Sequence, residues 1–82
     1  MDLSECRLRA AGLVEADLRE AVLRGADLRG ARVRAARFDD ADLRGARVDP
    51  GLWTTAGVRG AKIDVEQALA YAAAHGLHIH GG

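Results

Sequence analysis

Large apolar residues recur at every fifth position along most of the chain: Leu3, Leu8, Leu13, Leu18, Leu23, Leu28, Val33, Phe38, Leu43, Val48, Trp53, Val58 and Ile63. Two positions before each stands a small or apolar residue, namely Met1, Cys6, every fifth residue from Ala11 to Ala46, then Gly51, Ala56 and Ala61. An α-helix turns about 100° per residue, so a period of five would scatter these side chains around the cylinder. On an extended chain, residues two apart share a face, so Ala26 and Leu28 point inward together while Asp27 and Arg29 point outward. The next inward residue is Ala31, three positions on. The alternation slips there, so the chain must turn a corner at Gly30. Four corners close a coil of about twenty residues, and such coils can stack at the ~4.8 Å spacing of hydrogen-bonded strands. Gly25, Gly30, Gly45 and Gly60 all fall in the corner position.

The repeated A-D-L-x-x of Ala16 to Glu20, Ala26 to Gly30 and Ala41 to Gly45 resembles the pentapeptide-repeat family. About thirteen repeats match, roughly four fifths of the chain; Met1, which stands where the small residue belongs, and the stretch Asp49-Pro50-Gly51 before Trp53 depart from the pattern. The resemblance implies an all-β solenoid, a right-handed quadrilateral β-helix of about three coils. Trp53 is too large for a leucine column, so the coil is expected to bulge there or to leave Trp53 partly below the stack.

Twenty-residue stacking predicts inward columns such as Leu3, Leu23, Leu43 and Ile63, or Leu8, Leu28 and Val48. On the outside, acids and arginines should pair along each short face: Asp17 with Arg19, Asp27 with Arg29, Arg37 with Asp39, Asp42 with Arg44, Arg47 with Asp49, Lys62 with Asp64. Between coils, Arg7, Asp27 and Arg47 should stack, as should Arg19, Asp39 and Arg59. Exposed pairs of this kind contribute about 0 to 1 kcal/mol each.

Past Ile63 the period changes, which divides the chain into a repeat body at 1–65 and a C-terminal part at 66–82. Asp64 followed by Gln67 reads as a capping box, and EQALAYAAAH is a strong helix former ended by Gly76. The expected helix, 65–75, carries Val65, Leu69, Ala72 and Ala73 as an apolar stripe and should act as a capping lid on the last coil. Leu77 to His80 alternate as a short extended tail, with Gly81 and Gly82 expected to be disordered.

The chain has 82 residues with formal net charge zero, twelve basic against twelve acidic groups. That length suits one small domain without a deep catalytic cleft. No apolar run approaches the ~20 residues that cross a bilayer, and the opening MDLSECRLRA lacks the form of a signal peptide. One cysteine fits a reducing compartment, so the expected location is cytoplasmic, with no membrane contact. Cys6 reads as a packed thiol without a neighbouring histidine to activate it, and Ser4 belongs to no catalytic set. His75, His78 and His80 lack the further ligands of a zinc site. The chain is accordingly expected to be no enzyme and to hold no metal and no cofactor.

Some pentapeptide-repeat proteins imitate duplex DNA and thereby inhibit or protect DNA gyrase and topoisomerase IV, giving quinolone resistance. This alternative demands an acidic surface, whereas residues 1–65 carry twelve basic and eleven acidic groups. Arg32, Arg34 and Arg37 form a candidate basic patch without aromatic interleaving, so nucleic acid is not the expected partner. A structural scaffold or protein-protein interaction module is the preferred reading, its protein partner unidentified. In relatives a C-terminal helix joins two β-helices end to end. By that resemblance, and because Tyr71, Leu77 and Ile79 find no place under a simple lid, a homodimer is expected through Leu69, Tyr71, Ala72, Leu77 and Ile79.

Overall fold

A computed structural model describes residues 1–81, a rod of 39 × 20 × 20 Å. Its long axis is set by a chain that returns over itself every twenty residues. Parallel bridges join Asp2 to Val22 and Val22 to Asp42, Arg7 to Asp27 and Asp27 to Arg47, and Asp42 to Lys62. We call residues 1–20, 21–40 and 41–60 the first, second and third coils. The bonding rule repeats from coil to coil. A residue in the second position of its repeat donates upward to the carbonyl twenty-one residues earlier, as Val22 does to Met1 at 2.8 Å and Lys62 to Ala41 at 2.8 Å. A residue in the third position donates downward, as Leu3 does to the carbonyl of Val22 at 2.7 Å and Leu43 to that of Lys62 at 2.8 Å.

Each corner is a turn closed by the first residue of the next repeat, as where the Ala26 amide donates to the Leu23 carbonyl at 3.1 Å. The fifth position then takes a left-handed backbone. Gly30 and Gly45, both at φ 74°, do so without steric cost, but Glu5, Ala10, Glu15, Glu20, Ala35 and Asp40 adopt φ between 58° and 64° as well. Fifth-position amides also donate downward, as Glu5 does to the Arg24 carbonyl at 2.8 Å, but with a bend every five residues the rungs remain isolated bridges and, among the described residues, none lengthens into a strand. The expected all-β content is corrected accordingly: the regular elements are two helices, α1 at Pro50–Thr55 and α2 at Val65–Ala74.

Both helices start where a corner cannot form. Position five holds Pro50 in one case and Val65 in the other. Proline is locked near φ −65°, and a β-branched residue is strongly disfavoured at positive φ. Pro50 instead supplies the first helical residue, where its missing N–H costs nothing. Its predecessor Asp49 and the corresponding Asp64 then take up the broken ladder with their side chains. Asp49 Oδ2 accepts the Gly30 amide at 2.6 Å and Asp64 Oδ2 the Gly45 amide at 2.9 Å, each nineteen residues earlier. This is why the expected pairs Arg47 with Asp49 and Lys62 with Asp64 do not form: both carboxylates are committed to the coil above.

The run of thirteen repeats is thus interrupted by α1, yet the register survives it. Thr55 accepts from Ala35 at 3.0 Å, and Gly57 bridges Arg37. The coil leaves its path there as α1, and Trp53 is buried with Leu52 on the inner side of that helix. The core is densest in the second coil, where Ala21, Leu23, Ala26, Ala36 and Phe38 are fully buried. First-coil counterparts Leu3, Leu8 and Leu13 pack against that cluster but are only partly covered.

The capping box of α2 forms as expected. Asp64 Oδ1 accepts the Gln67 amide at 2.8 Å and Gln67 Oε1 accepts the Asp64 amide at 2.9 Å. The expected stripe does not hold. Val65, Leu69 and Ala73 are exposed, and the helix faces the coil with Gln67, Tyr71 and Ala74 instead. Buried Gln67 donates through Nε2 to the carbonyls of Leu43 and Ala46, at 2.5 and 3.0 Å. The end of a bonded stack exposes polar groups that leucine cannot satisfy. Expectations for Gly82 lie outside the described residues.

Candidate interaction surfaces

The sides of the rod are built from a local device in A-D-L-R. Asp17 Oδ1 accepts the Arg19 amide at 3.1 Å, folding the side chain back on its own backbone. The arginine side chain then closes a fork on the same carboxylate, through Nε at 2.8 Å and Nη2 at 2.8 Å. Asp27 with Arg29 and Asp42 with Arg44 repeat it. The Arg19 guanidinium holds the Asp17 carboxyl down to about 2, and Arg29 and Arg44 hold Asp27 and Asp42 well below the usual carboxylate range. Arg37 contacts Asp39 at 3.2 Å. Among the described residues the ion pairs run along faces and not between coils, so the expected vertical stacks of Arg7, Asp27 and Arg47 and of Arg19, Asp39 and Arg59 are not ion-paired. The in-face fork satisfies a carboxylate bidentately, leaving less to gain from a neighbour one coil away.

Of the basic patch, Arg32 and Arg34 share one exposed face in the repeat 31–35. Gly12 and Val14 stand above them and α1 below, so no acidic side chain flanks them in the ladder. Arg37 lies around the corner with Asp39.

The C-terminal end is the most apolar part of the surface. Val65 is 76% exposed, Leu69 49%, Leu77 61% and Ile79 61%. Val65, Leu69 and Ala72 follow helical spacing. The helix ends in a Schellman motif: Gly76, at φ 72°, donates to Ala73 at 3.0 Å and Leu77 to Ala72 at 2.8 Å. The motif folds Leu77 back beside Ala72, joining the tail to the outer helix face. Tyr71 belongs elsewhere. Its ring meets Trp53 edge-on at 5.9 Å and lies 4.3 Å from the His75 ring. His75 Nε2 sits 2.8 Å from the Trp53 carbonyl. A carbonyl only accepts, so this nitrogen carries the proton. Tyr71 and His75 thus bind α2 to α1, and the sequence signal for it was the lone Trp53 in a leucine column. Between the helix and the third coil an open groove is lined by Val58, Ile63, Tyr71 and His75.

Among the described residues no group of histidines, cysteines and carboxylates has the arrangement of a metal site, and no helix is long and apolar enough to cross a membrane. Cys6 is a free, half-buried thiol in an inward position.

Comparison with known proteins places this geometry in context. The family model for pentapeptide repeats matches residues 2–40, as eight copies. A crystal structure of a pentapeptide repeat protein from the cyanobacterium Cyanothece 51142 is similar, with 33% identity and TM-score 0.56, over 78% of this chain and 40% of that one. The plasmid-mediated fluoroquinolone resistance protein QnrB1 is similar in fold alone, with 24% identity and TM-score 0.50, over 98% of this chain and 42% of that one. The chain therefore spans about two fifths of the length of either structure. No curated protein matches it.

Proposed function

This chain is a pentapeptide-repeat protein, and from that premise we propose that it acts as a non-enzymatic scaffold, a protein-protein interaction module in the cytoplasm. On this reading its coils form a right-handed quadrilateral β-helix, supported by the twenty-residue bridges and the four left-handed corners per coil in the first and second coils. The observation that carries the functional reading is the exposed apolar face of Val65, Leu69, Leu77 and Ile79. Exposed apolar side chains gathered on the C-terminal helix and tail of an otherwise charged rod are a surface suited to another protein. A second copy is the simplest partner, since a twofold contact would use the same patch on both chains. Tyr71, already packed against Trp53, is outside the patch, which consists of Leu69, Ala72, Leu77 and Ile79 together with Val65.

Sedimentation of the wild type beside the variant Leu69→Asp with Ile79→Asp tests this. The wild type is expected to associate, or to retain a protein from host extract, and the variant to do neither while keeping its thermal midpoint. Identical sedimentation and identical captured proteins for both would overturn the reading.

A gyrase modulator acting by DNA mimicry is the weaker alternative. The likeness to QnrB1 is one of fold, and the repeat body carries one more basic than acidic group. Supercoiling by gyrase is expected to continue in excess protein at moderate salt, and inhibition abolished by Asp17→Arg with Asp42→Arg would reverse that judgement.

A further inference from the structure

The last side of the third coil, residues 56–60, is bonded above and bare below. Gly57 donates to the Ala36 carbonyl at 2.8 Å, while its own carbonyl and that of Arg59 accept from Phe38 and Asp40 at 2.7 and 2.9 Å. By the ladder rule the Val58 and Gly60 amides and the Ala56 carbonyl turn downward, and among the described residues none of the three has a hydrogen-bond partner. The side chains show the same contrast. Ala36 and Phe38, with this side beneath them, are fully buried, whereas Ala56 and Val58 are half-buried over the groove that Ile63, Tyr71 and His75 complete.

The chain that follows α2 has the form of a rung. Leu77-His78-Ile79-His80-Gly81 places apolar residues at the first and third positions, polar ones at the second and fourth, and glycine at the corner, as Ala26-Asp27-Leu28-Arg29-Gly30 does. Yet Leu77 and Ile79 are each 61% exposed. We propose that residues 77–81 are a strap that closes on the third coil as a further rung, with Leu77 under Ala56 and Ile79 under Val58.

Hydrophobicity sets the register. Keeping the strict twenty-residue count would place Leu77 under Gly57, turning Leu77 and Ile79 outward and burying His78 beneath Val58. One residue further along, His78 lies under Gly57 and both histidines face solvent; the extra residue falls in α2 and its cap, outside the ladder. The precedent is α1, after which the ladder resumes at Gly57. Closure gives up the bond from Leu77 to the Ala72 carbonyl and gains three: Val58 to the His78 carbonyl, His78 to the Ala56 carbonyl and Gly60 to the His80 carbonyl. The reach is short, because His75 already lines the groove and Gly76, at φ 72°, is the hinge that follows it. Ordering of the tail opposes closure, so the strap is an equilibrium between two positions. Closing withdraws Leu77 and Ile79 from the outer helix face and leaves Val65, Leu69 and Ala72 there. The strap thus sets how much apolar surface is offered to a partner, a consequence that rests on the function proposed above; the closure itself does not. Only residues directly after α2 take part, so the rung is independent of what lies further along the chain.

The test uses the full chain carrying Val65→Asp and Leu69→Asp, at a dilution where it sediments as a monomer, so that association through the helix face is removed and the tail is intact. Amide exchange at Val58 and Gly60 is expected to be at least about threefold slower than in the same chain with Leu77→Asp and Ile79→Asp added, while exchange at Phe38 is unchanged. With Cys6→Ala added instead, Arg59→Cys with His80→Cys should close an intrachain disulfide at least about tenfold faster than Arg59→Cys with His78→Cys, since neighbouring rungs stand ~4.8 Å apart and a displacement of two residues takes the pair beyond bridging distance. Equal exchange with and without the tail substitutions, equal rates for the two cysteine pairs, or disulfides formed chiefly between chains would each overturn the closure. Slow exchange at Val58 and Gly60 in a wild type that neither associates nor captures a partner would uphold the strap and sink the docking face, whereas association of a wild type in which both amides exchange freely would sink the strap alone.

Discussion

The first and second coils obey the same five-residue rule and differ in their neighbours. Leu28 is 2% exposed and Leu23 fully buried, whereas Leu8 and Leu3, one coil above in the same columns, are half-covered. Corners differ too: the second coil uses Gly25 and Gly30 for two of its four turns, and the first forces all four through Glu5, Ala10, Glu15 and Glu20. An individual repeat therefore has no stability of its own. What it contributes depends on having a coil on both sides, as expected of a stack in which each unit touches only the next.

The comparison is broken most severely by a charge in the core. Leu28→Asp should cost at least about 4 kcal/mol by burying an unpaired carboxylate and should unfold the domain. Leu8→Asp, in the same column but at the open end, should leave a folded protein with its denaturation midpoint lowered by roughly half as much. Arg29→Asp should cost no more than about 1 kcal/mol, because only an exposed fork is lost. Equal losses at Leu28 and Leu8 would refute the neighbour dependence, and equal losses at Leu28 and Arg29 the division into inside and outside.

A smaller effect is expected where the stack ends. Gln67→Ala leaves the Ala46 carbonyl without a donor and removes the Gln67 side of the capping box, and should cost about 1–3 kcal/mol in urea unfolding. Glu66→Ala, one residue away and exposed, should remain within about 0.5 kcal/mol of wild type.

The corners come next. Ala10→Gly and Ala35→Gly should each raise stability by roughly 0.5–1 kcal/mol, since left-handed backbone strain exceeds the entropy that glycine loses. Gly30→Ala should lower it by about 1 kcal/mol; an added Cβ would meet Ala10 backbone at an ordinary 3.6 Å, so the cost is one of conformation and not of space. A combined Glu5→Gly, Ala10→Gly, Glu15→Gly and Glu20→Gly variant should narrow the difference between the coils.

Smallest is the response to acid. Asp17, Asp27 and Asp42 have folded-state pKa values depressed by their arginines. The stability they contribute is present above the ordinary carboxylate value near 3.9 and is lost as pH falls through their folded values. Thermal midpoints should therefore decline between about pH 4 and pH 2, and less so in Asp27→Asn. A midpoint that rises over this interval would contradict the sign.

Much of this was legible along the chain. The period of five dictated the corners and the inward columns, because an extended backbone offers only two faces and each phase slip demands a bend. The helix boundaries are legible by the same rule at position five: Pro50, Thr55 and Val65 are the residues there that cannot easily turn left-handed, and α1 and α2 occupy those places. Other choices belong to the tertiary structure. Whether Asp49 and Asp64 pair with the neighbouring cation or with a glycine amide nineteen residues back depends on which groups the ended ladder leaves bare. The same holds for the face that α2 turns inward. Hydrophobic patterning favoured Val65 and Leu69, but what lay beneath the helix was the Ala46 carbonyl, left without a backbone donor, and the Trp53 ring, and Gln67 and Tyr71 meet those. Local sequence carries the cost of each backbone conformation, whereas which polar groups would otherwise go unpaired is a property of the assembled stack.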